Sequence, residues 1–562
     1  MHSPHVEWLQ RRWSLPEHRI ALVERLLTAQ ESGNTACECL AGEVDGAWGT
    51  ALAEAASLPQ TPEAACPLVH VVTGGKSFLQ SWRHFQAERC IAENLLARCG
   101  SADAGNTPDA FDSEQALRQL FPCHLAEDRQ VAATRTALTR PLALITGGPG
   151  TGKTYTLARI LTLLLMRAAH TGGTPPRIRL AAPTGKAAER MKEAVEASIN
   201  GLPSHFATHA DDLLRAAATS STLHSLLGYN PSEAACRFDA SHPLPCEVLI
   251  IDEASMIDVL LWKALLDAMP RSAACKLIIL GDPFQLESVG AGDVLYQLVQ
   301  APALQPIHVR LTQSRRFANR PDIQSLANAV VSGRARDIET LLDACKNPLA
   351  PRGLAWLGDV PHQAVWGSLP QHLIESLKAV AFADTPETAL QALGRIRLLT
   401  AHRESSLGAT GLGDTLTREL SRLRPAGARR INEPVIINVN DPETGLRNGS
   451  VGILCTDARG ERRAWFPAAR DTDPPRNLAL GRLPDTSLAW ALTIHRSQGS
   501  EFDDVVVVLP REESPLATRE LLYTAITRAR NSVTLLGARE TIIKAVTDPA
   551  RRITLLGWRL RS

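Results

Sequence analysis

The sequence predicts an α/β chain built on doubly wound parallel sheets, and three observations carry that prediction. Short apolar runs recur from about 140 onward, in LALITGG, IRLAAPTGK, EVLIIDEAS, KLIILGDPFQ, RIRLLTAH and DVVVVLP. Runs of this length read as strands buried on both faces, with helices between them. The first leads through a glycine-rich loop into the helical run TYTLARILTLLLM, the order that such sheets use. Each run also ends in small, polar or charged residues, and ligands in this architecture lie beyond the strand C-terminal ends.

A chain of 562 residues suggests three to four folding units, at about 150 residues per domain. Residues 1–112 carry helical patterns, ALVERLLTAQ and FQAERCIAENLLARC, broken near 56–76 and 100–108, which predicts a mainly helical N-terminal domain. SADAGNTPDAFDS reads as a linker before a helix that opens with EQALRQLF. A first parallel-sheet lobe is then expected over 113–308 and a second over 309–562. Between about 412 and 488, PVIINVNDPETGLRNGSVGILCT and ERRAWFP alternate around Asn-Gly and Pro turns, so a small β-barrel inserted in the second lobe is expected.

Composition excludes several classes. Apolar content of 44% with 21% charged residues is that of a globular chain. A net charge of +1 leaves any nucleic-acid grip to local groups. The eleven cysteines are scattered without a C-x-x-C pair, which favours neither a disulfide framework nor a zinc or iron–sulfur site, and Cys37 and Cys39 are expected to be simply buried. MHSPHVEWLQRRW has no apolar region behind its charges, and no uncharged apolar stretch reaches 18 residues, so a cytoplasmic protein with no membrane span is expected.

The most specific pattern is Gly147-Gly148-Pro149-Gly150-Thr151-Gly152-Lys153-Thr154, which fits G-x-x-x-x-G-K-[ST] between a strand and a helix. Glycines let the backbone N–H groups curl round a phosphate, and the helix N-terminus adds partial positive charge. Lys153 would reach the β- and γ-phosphates of ATP and Thr154 would ligate Mg²⁺. About a hundred residues later, Val248-Leu249-Ile250-Ile251 runs into Asp252-Glu253. Adjacent carboxylates at the end of a buried strand call for a cation, so Asp252 is expected to hold Mg²⁺ and Glu253 to orient or deprotonate the attacking water.

GGPGTGKT, APTGKAAERM, TLHSLLG, IIDEASMID, GDPFQLESV, LTQSRRF, LTIHRSQGSEFD and LLYTAITRAR occur in that order. In these segments the chain resembles superfamily-one helicases, and closely the RecD family, the α subunits of bacterial exodeoxyribonuclease V. The likeness covers about 115 to 540 by motif and extends more weakly into the N-terminal region. It implies two RecA-like lobes that share one ATP. Gln130 matches the glutamine that reads adenine, Gln285 the residue linking the γ-phosphate to the DNA track, Arg528 the arginine finger and Arg316 a second γ-phosphate arginine. Arg315 stands where the family more commonly carries an aromatic residue, which leaves open which of Arg315 and Arg316 serves the nucleotide.

The resemblance further implies DNA contacts at Pro183, Thr184, Lys186, Thr493, His495, Ser497 and Gln498. Thr222 and His224, ahead of a small hairpin insertion at about 224–246, resemble the start of a strand-separating pin. The implied activity is an ATP-dependent, 5′-to-3′ DNA helicase. It would be the motor subunit of a heterotrimer with RecB-like and RecC-like partners, acting on double-strand DNA ends in recombinational repair, with the N-terminal domain docking partners. No nuclease carboxylate constellation is seen beyond the ATP site, so nuclease chemistry is expected in a partner. The alternatives are a stand-alone RecD-like helicase, whose N-terminal extension would be longer than the roughly 110 residues here, and a structural subunit switched by ATP without translocation.

Overall fold

The structure, a computed structural model, describes residues 17–40, 43–44, 52–54, 67–100, 113–121, 128–199, 202, 206, 209–270, 275–345, 353–424, 430–456, 460–468, 474–550 and 552–561. The expected linker at 101–113 lies almost wholly outside them. Two compact units form: Met1–Pro283 with Glu287–Gln313 and Arg551–Ser562, and Phe284–Leu286 with Ser314–Ala550.

The first unit opens with a four-stranded sheet of β1 (Ala36–Cys39), β2 (Leu52–Glu54), β3 (Leu68–Thr73) and β4 (Lys76–Ser81), in the order β1-β4-β3-β2. Among the described residues the helices Glu17–Glu31 and Trp82–Gly100 still outweigh these strands, so the expected helical character stands beside a sheet that the sequence did not lead one to expect. β3 and β4 pair antiparallel around Gly74 and Gly75, both at positive φ, the backbone that a two-residue hairpin of matching twist requires. Cys37 and Cys39 are buried, as expected, in the small core beneath this sheet.

β5 (Leu142–Gly147), β6 (Ile178–Ala182), β7 (Ser221–Thr222), β8 (Val248–Ile251), β9 (Lys276–Gly281) and β10 (His308–Leu311) form the second sheet of this unit. Its order is β10-β5-β9-β8-β6-β7 and every pairing is parallel. Successive residues of each strand enter opposite cores, as a period of two demands. Leu144, Ile251 and Ile279 join one core, while Ile145, Ile250 and Ile278 join the other. The helices Arg129–Thr139, Lys153–His170 and Gly185–Ile199 line the second core.

The first core contains an unexpected contributor. Ala87, Ile91 and Leu95 of the helix Trp82–Gly100 pack there beside Trp262 and Leu265 of the helix Val259–Ala268. The proposed boundary at 112 therefore does not separate a free-standing domain: the last N-terminal helix completes one face of the parallel sheet. Leu556 and Leu560 lie in the same core, so the last residues belong with the first unit and not with the second lobe as expected.

The second unit carries β11 (Leu354–Trp356), β12 (Ile396–Thr400), β13 (Glu433–Ile437), β14 (Val451–Thr456), β15 (Arg462–Phe466), β16 (Arg476–Ala479), β17 (Thr486–Leu488), β18 (Ala491–Thr493), β19 (Phe502–Val508) and β20 (Ala529–Leu536). Five of these make a parallel sheet in the order β11-β20-β19-β12-β18. Val505 and Val507 enter one core while Val506 and Val508 enter the other, so this sheet too is covered on both faces.

The other five form an antiparallel sheet in the order β16-β15-β14-β13-β17. The insertion thus begins at β13, after the helix Ala409–Arg422, and not at 412. Among the described residues its edge strands β16 and β17 do not pair, so it is an open sheet where a closed barrel was expected. No helix among the described residues is long and apolar enough to cross a membrane.

Candidate nucleotide and nucleic-acid sites

β5 ends at Gly147, and the loop to the helix Lys153–His170 turns on Gly150 and Gly152, at φ 72° and 87°. Glycine at 152 is required by its left-handed backbone, and a Cβ there would also push the Gln130 amide out of its place against the loop. Lys153 Nζ donates to the carbonyls of Gly147 (2.6 Å) and Gly148 (3.3 Å), which holds the ammonium over the loop. Thr151 Oγ1 closes the loop onto Gly148 O at 2.8 Å. Pro149 and Thr154 complete the eight-residue stretch, with Thr154 half-buried at the second position of the helix.

Gln130 sits in the first turn of the helix Arg129–Thr139, capped by Asp128, whose carboxylate accepts from the Gln130 backbone N–H at 2.6 Å. Its Nε2 donates to Thr151 O at 3.0 Å, while its Oε1 is buried without a hydrogen-bond partner. A buried acceptor left open beside a phosphate loop suits a donor such as the exocyclic amine of adenine.

Asp252 follows β8 and accepts from the Glu253 N–H at 2.8 Å. Burial and then the neighbouring Glu253 carboxylate push its carboxyl up to about 6, against the pull of the Lys153 ammonium, so the phosphate loop and the acidic pair occupy one electrostatic neighbourhood. Glu253 adopts left-handed backbone (φ 52°, ψ 42°). A non-glycine residue there is strained by roughly 1–3 kcal/mol, a pattern concentrated at functional sites. Thr154 and Asp252 supply hard oxygen donors of the kind Mg²⁺ takes, typically one or two from protein with the remainder from substrate and water. Among the described residues no group of three or more His, Cys, Asp or Glu side chains could hold a metal.

The second unit gathers the other candidates. Arg528 is buried and donates from Nη2 to Gln285 Oε1 at 2.7 Å, from Nε to Thr524 O at 3.2 Å and from Nη1 to Ser500 O at 3.3 Å. Arg316 donates to Thr527 O at 3.1 Å and pairs with the Glu501 carboxylate. Gln285, Arg316 and Arg528, far apart in sequence, thus converge on the segments 500–501 and 524–528. Arg316 belongs to this cluster, whereas Arg315 is exposed. Glu501, which bridges Arg316 and Arg530, was not singled out from the sequence although it stands inside LTIHRSQGSEFD.

The proposed DNA contacts fall at strand ends. Pro183 and Thr184 follow β6, and Thr184 Oγ1 accepts from Ala187 N at 3.2 Å, capping the helix on which Lys186 is exposed. Thr222 ends β7 beside Ala182 and caps the helix Leu223–Leu227, leaving His224 exposed with its ring 5.5 Å from that of Tyr229. The expected hairpin at 224–246 reduces to a single bridge between Asn230 and Ala235.

In the second unit Thr493 ends β18, and His495 and Gln498 follow it half-buried. Ser497 must be corrected: it is fully buried and its hydroxyl donates to Ile494 O at 2.7 Å, so it shapes the turn instead of facing a ligand. Beside Thr493 lies a cavity of about 230 Å³ lined by Arg403, Arg496, Thr410 and Ser487 among others. Neither arginine was singled out from the sequence, although Arg496 interrupts a quoted motif.

A family model described as an AAA domain matches residues 130–291, and one described as a UvrD-like helicase C-terminal domain matches 488–536. A RecBCD enzyme subunit RecD of Mycolicibacterium smegmatis is 34% identical over 538 residues, covering 93% of this chain and 90% of the relative. The chain belongs to the RecD family. Another RecD, from Haemophilus influenzae, is 30% identical, with 75% of this chain and 70% of the relative covered. An ATP-dependent RecD2 DNA helicase of Deinococcus radiodurans is 30% identical, and the match spans 79% of this chain but 53% of that longer protein. As a RecD-family member the chain is an ATP-hydrolysing superfamily-one DNA helicase.

Proposed function

We propose that this helicase is the 5′-to-3′ motor subunit of a RecBCD-type complex, working with RecB-like and RecC-like subunits on double-strand DNA ends in the cytoplasm. The observation that carries the motor reading is the pairing of a phosphate loop that holds Lys153 over its carbonyls with an acidic pair whose Glu253 is kept in left-handed backbone. Gln130 Oε1 accepts from adenine, the loop N–H groups and Lys153 hold the phosphates, and Glu253 orients the attacking water. Thr154 and Asp252 would hold Mg²⁺, which supplies charge neutralisation at the β- and γ-phosphates.

Arg316 and Arg528 neutralise the charge that develops on the transferred group, and Gln285, hydrogen-bonded to Arg528, passes the state of the nucleotide to the DNA track. The track is composed of Pro183, Thr184, Lys186 and His224 in the first unit and of Thr493, His495 and Gln498 in the second. Arg403 and Arg496 beside Thr493 add two cations suited to phosphodiester groups. Nucleotide binding and its release on hydrolysis, passed through Gln285 to the track, turn each turnover into a step.

The test is ATP turnover with single-stranded DNA. Lys153→Gln should abolish it, and Arg528→Ala should keep nucleotide binding while lowering turnover by about 10³ or more, the scale of an arginine finger. Parental turnover by Arg528→Ala would refute the shared site. Co-purification with two large partner subunits distinguishes the complex from a stand-alone helicase, and ATP binding without DNA-stimulated turnover would favour the structural-switch alternative.

A further inference from the structure

We propose that Arg552 is a positioning residue of the motor: it clamps the loop that continues the GDPFQ motif and ties that loop to the N-terminal sheet. The inference rests on the motor reading above. Its starting point is the path of the chain, which leaves the first unit after Pro283, re-enters it at Glu287, and re-enters for the last time at Arg551. Arg552, the next residue, takes hold of the earlier point of re-entry. Its Nη1 donates to Gly290 O (2.7 Å), Gly292 O (2.9 Å) and Ser288 Oγ (3.4 Å), its Nη2 donates to Ser288 O (2.7 Å), and its Nε pairs with the Glu287 carboxylate.

Exposed ion pairs contribute little, but the Arg552 and Glu287 side chains are only 16% and 9% exposed and the guanidinium fork is satisfied on several sides. The loop is not shaped by its own hydrophobicity, because Val289, between two clamped residues, is 90% exposed. Arg552 holds it from one side, while Val259 N donates to Ala291 O (3.0 Å) from the other.

The same tail is sewn to the N-terminal sheet and its helix. Ile553 N donates to Asn34 Oδ1 (2.6 Å), Ile553 O accepts from Thr35 N (2.9 Å), and Thr554 Oγ1 and Leu555 N donate to the buried Glu88 at 2.7 and 3.1 Å. Gly292 N donates to Gly33 O at 2.8 Å, and a Cβ on Gly33, at φ +85°, would lie 2.6 Å from Arg552 Cζ. Three separate segments, 33–35, 287–292 and 552–555, therefore meet at one guanidinium. Gln285 stands two residues before Glu287, so the clamp fixes one end of the short segment that carries the coupling glutamine. A partner docked on the N-terminal sheet would act on turnover through this junction.

The experiment uses the full-length chain with Arg552→Met, Arg552→Lys and Glu287→Gln, the last keeping the hydrogen bonds to the loop carbonyls should Arg552→Met fail to fold. Two readouts are taken: amide exchange over 287–293, and ATPase with and without single-stranded DNA. Arg552→Met should speed exchange at the Gly292 amide by about tenfold or more. It should leave basal turnover and the KM for ATP unchanged and cut DNA-stimulated kcat by about fivefold, with Arg552→Lys partly restoring it. Unchanged exchange overturns the clamp; faster exchange with undiminished DNA stimulation reduces Arg552 to a structural residue and overturns its positioning role. A parental protein that shows no DNA stimulation would instead overturn the motor reading, and exchange would still decide the clamp.

Discussion

Gln130 commits its amide nitrogen to the phosphate loop and leaves its carbonyl oxygen buried and open, so on the proposed reading base selection would rest on one atom. Gln130→Ala should raise the KM for ATP by about tenfold, the value of one satisfied buried acceptor, and should bring GTP and ATP closer together as substrates. Competing-nucleotide kinetics check this, and an unaltered preference for ATP would remove adenine reading from Gln130. The phosphate loop was legible in the sequence because glycine spacing, strand and helix constrain one another locally. The arginines were less so. Arg315 and Arg316 are adjacent and chemically alike, and what tells them apart is the set of contacts Arg316 makes with Glu501 and Thr527, 185 and 211 residues away. Ser497 failed for the same reason, since nothing in LTIHRSQG says that its hydroxyl turns inward to Ile494.

At the scale of elements, the apolar runs β5, β6, β8, β9, β12 and β19 were readable because strands buried on both faces have almost no polar residues. β7 and β10 were not, being two and four residues long and flanked by polar groups. The β3–β4 hairpin carried a Gly-Gly signal that was read as a break between helices. β10 also carries a titration consequence. Its His308 shares a 2.8 Å hydrogen bond with Thr146 of β5, and burial holds its ring below the ordinary 6.5.

As pH falls through about 6.5, the unfolded chain takes up that proton before the folded chain does. The stability linked to the neutral ring is therefore complete above that value and is lost toward lower pH. Asp252, pushed the other way, opposes the trend, so the observable is the difference between proteins. The stability of the parent relative to His308→Gln should shrink between about pH 7.5 and pH 5.5 in denaturant titrations. A difference constant across that range would mean that His308 does not titrate as described.

For the molecule as a whole, sequence order and spatial membership part company at the C-terminus. Residues 552–561 follow the second lobe in the chain yet supply Leu556 and Leu560 to a core of the first unit. The same stretch surrounds the carboxylate of Glu88, which is fully buried on the helix Trp82–Gly100 and accepts from Thr35, Gln80, Thr554 and Leu555 while pairing with Arg559. A buried carboxylate deprived of its partners is costly, so the tail cannot detach without exposing or stranding Glu88. No local pattern announces this, because the tail is short and Glu88 lies more than 450 residues earlier in the chain.

The consequence is a stability map that does not follow the sequence. Leu556→Ala should cost roughly 2–5 kcal/mol, as for a large side chain removed from a closed core. The loss should be seen as faster amide exchange along Trp82–Gly100 and Val259–Ala268, whose side chains share that core, while β12 and β19 of the second unit keep their protection. If β12 and β19 lost protection to the same extent as Trp82–Gly100, the tail would be stabilising the chain globally, and its assignment to the first unit would lose its energetic basis.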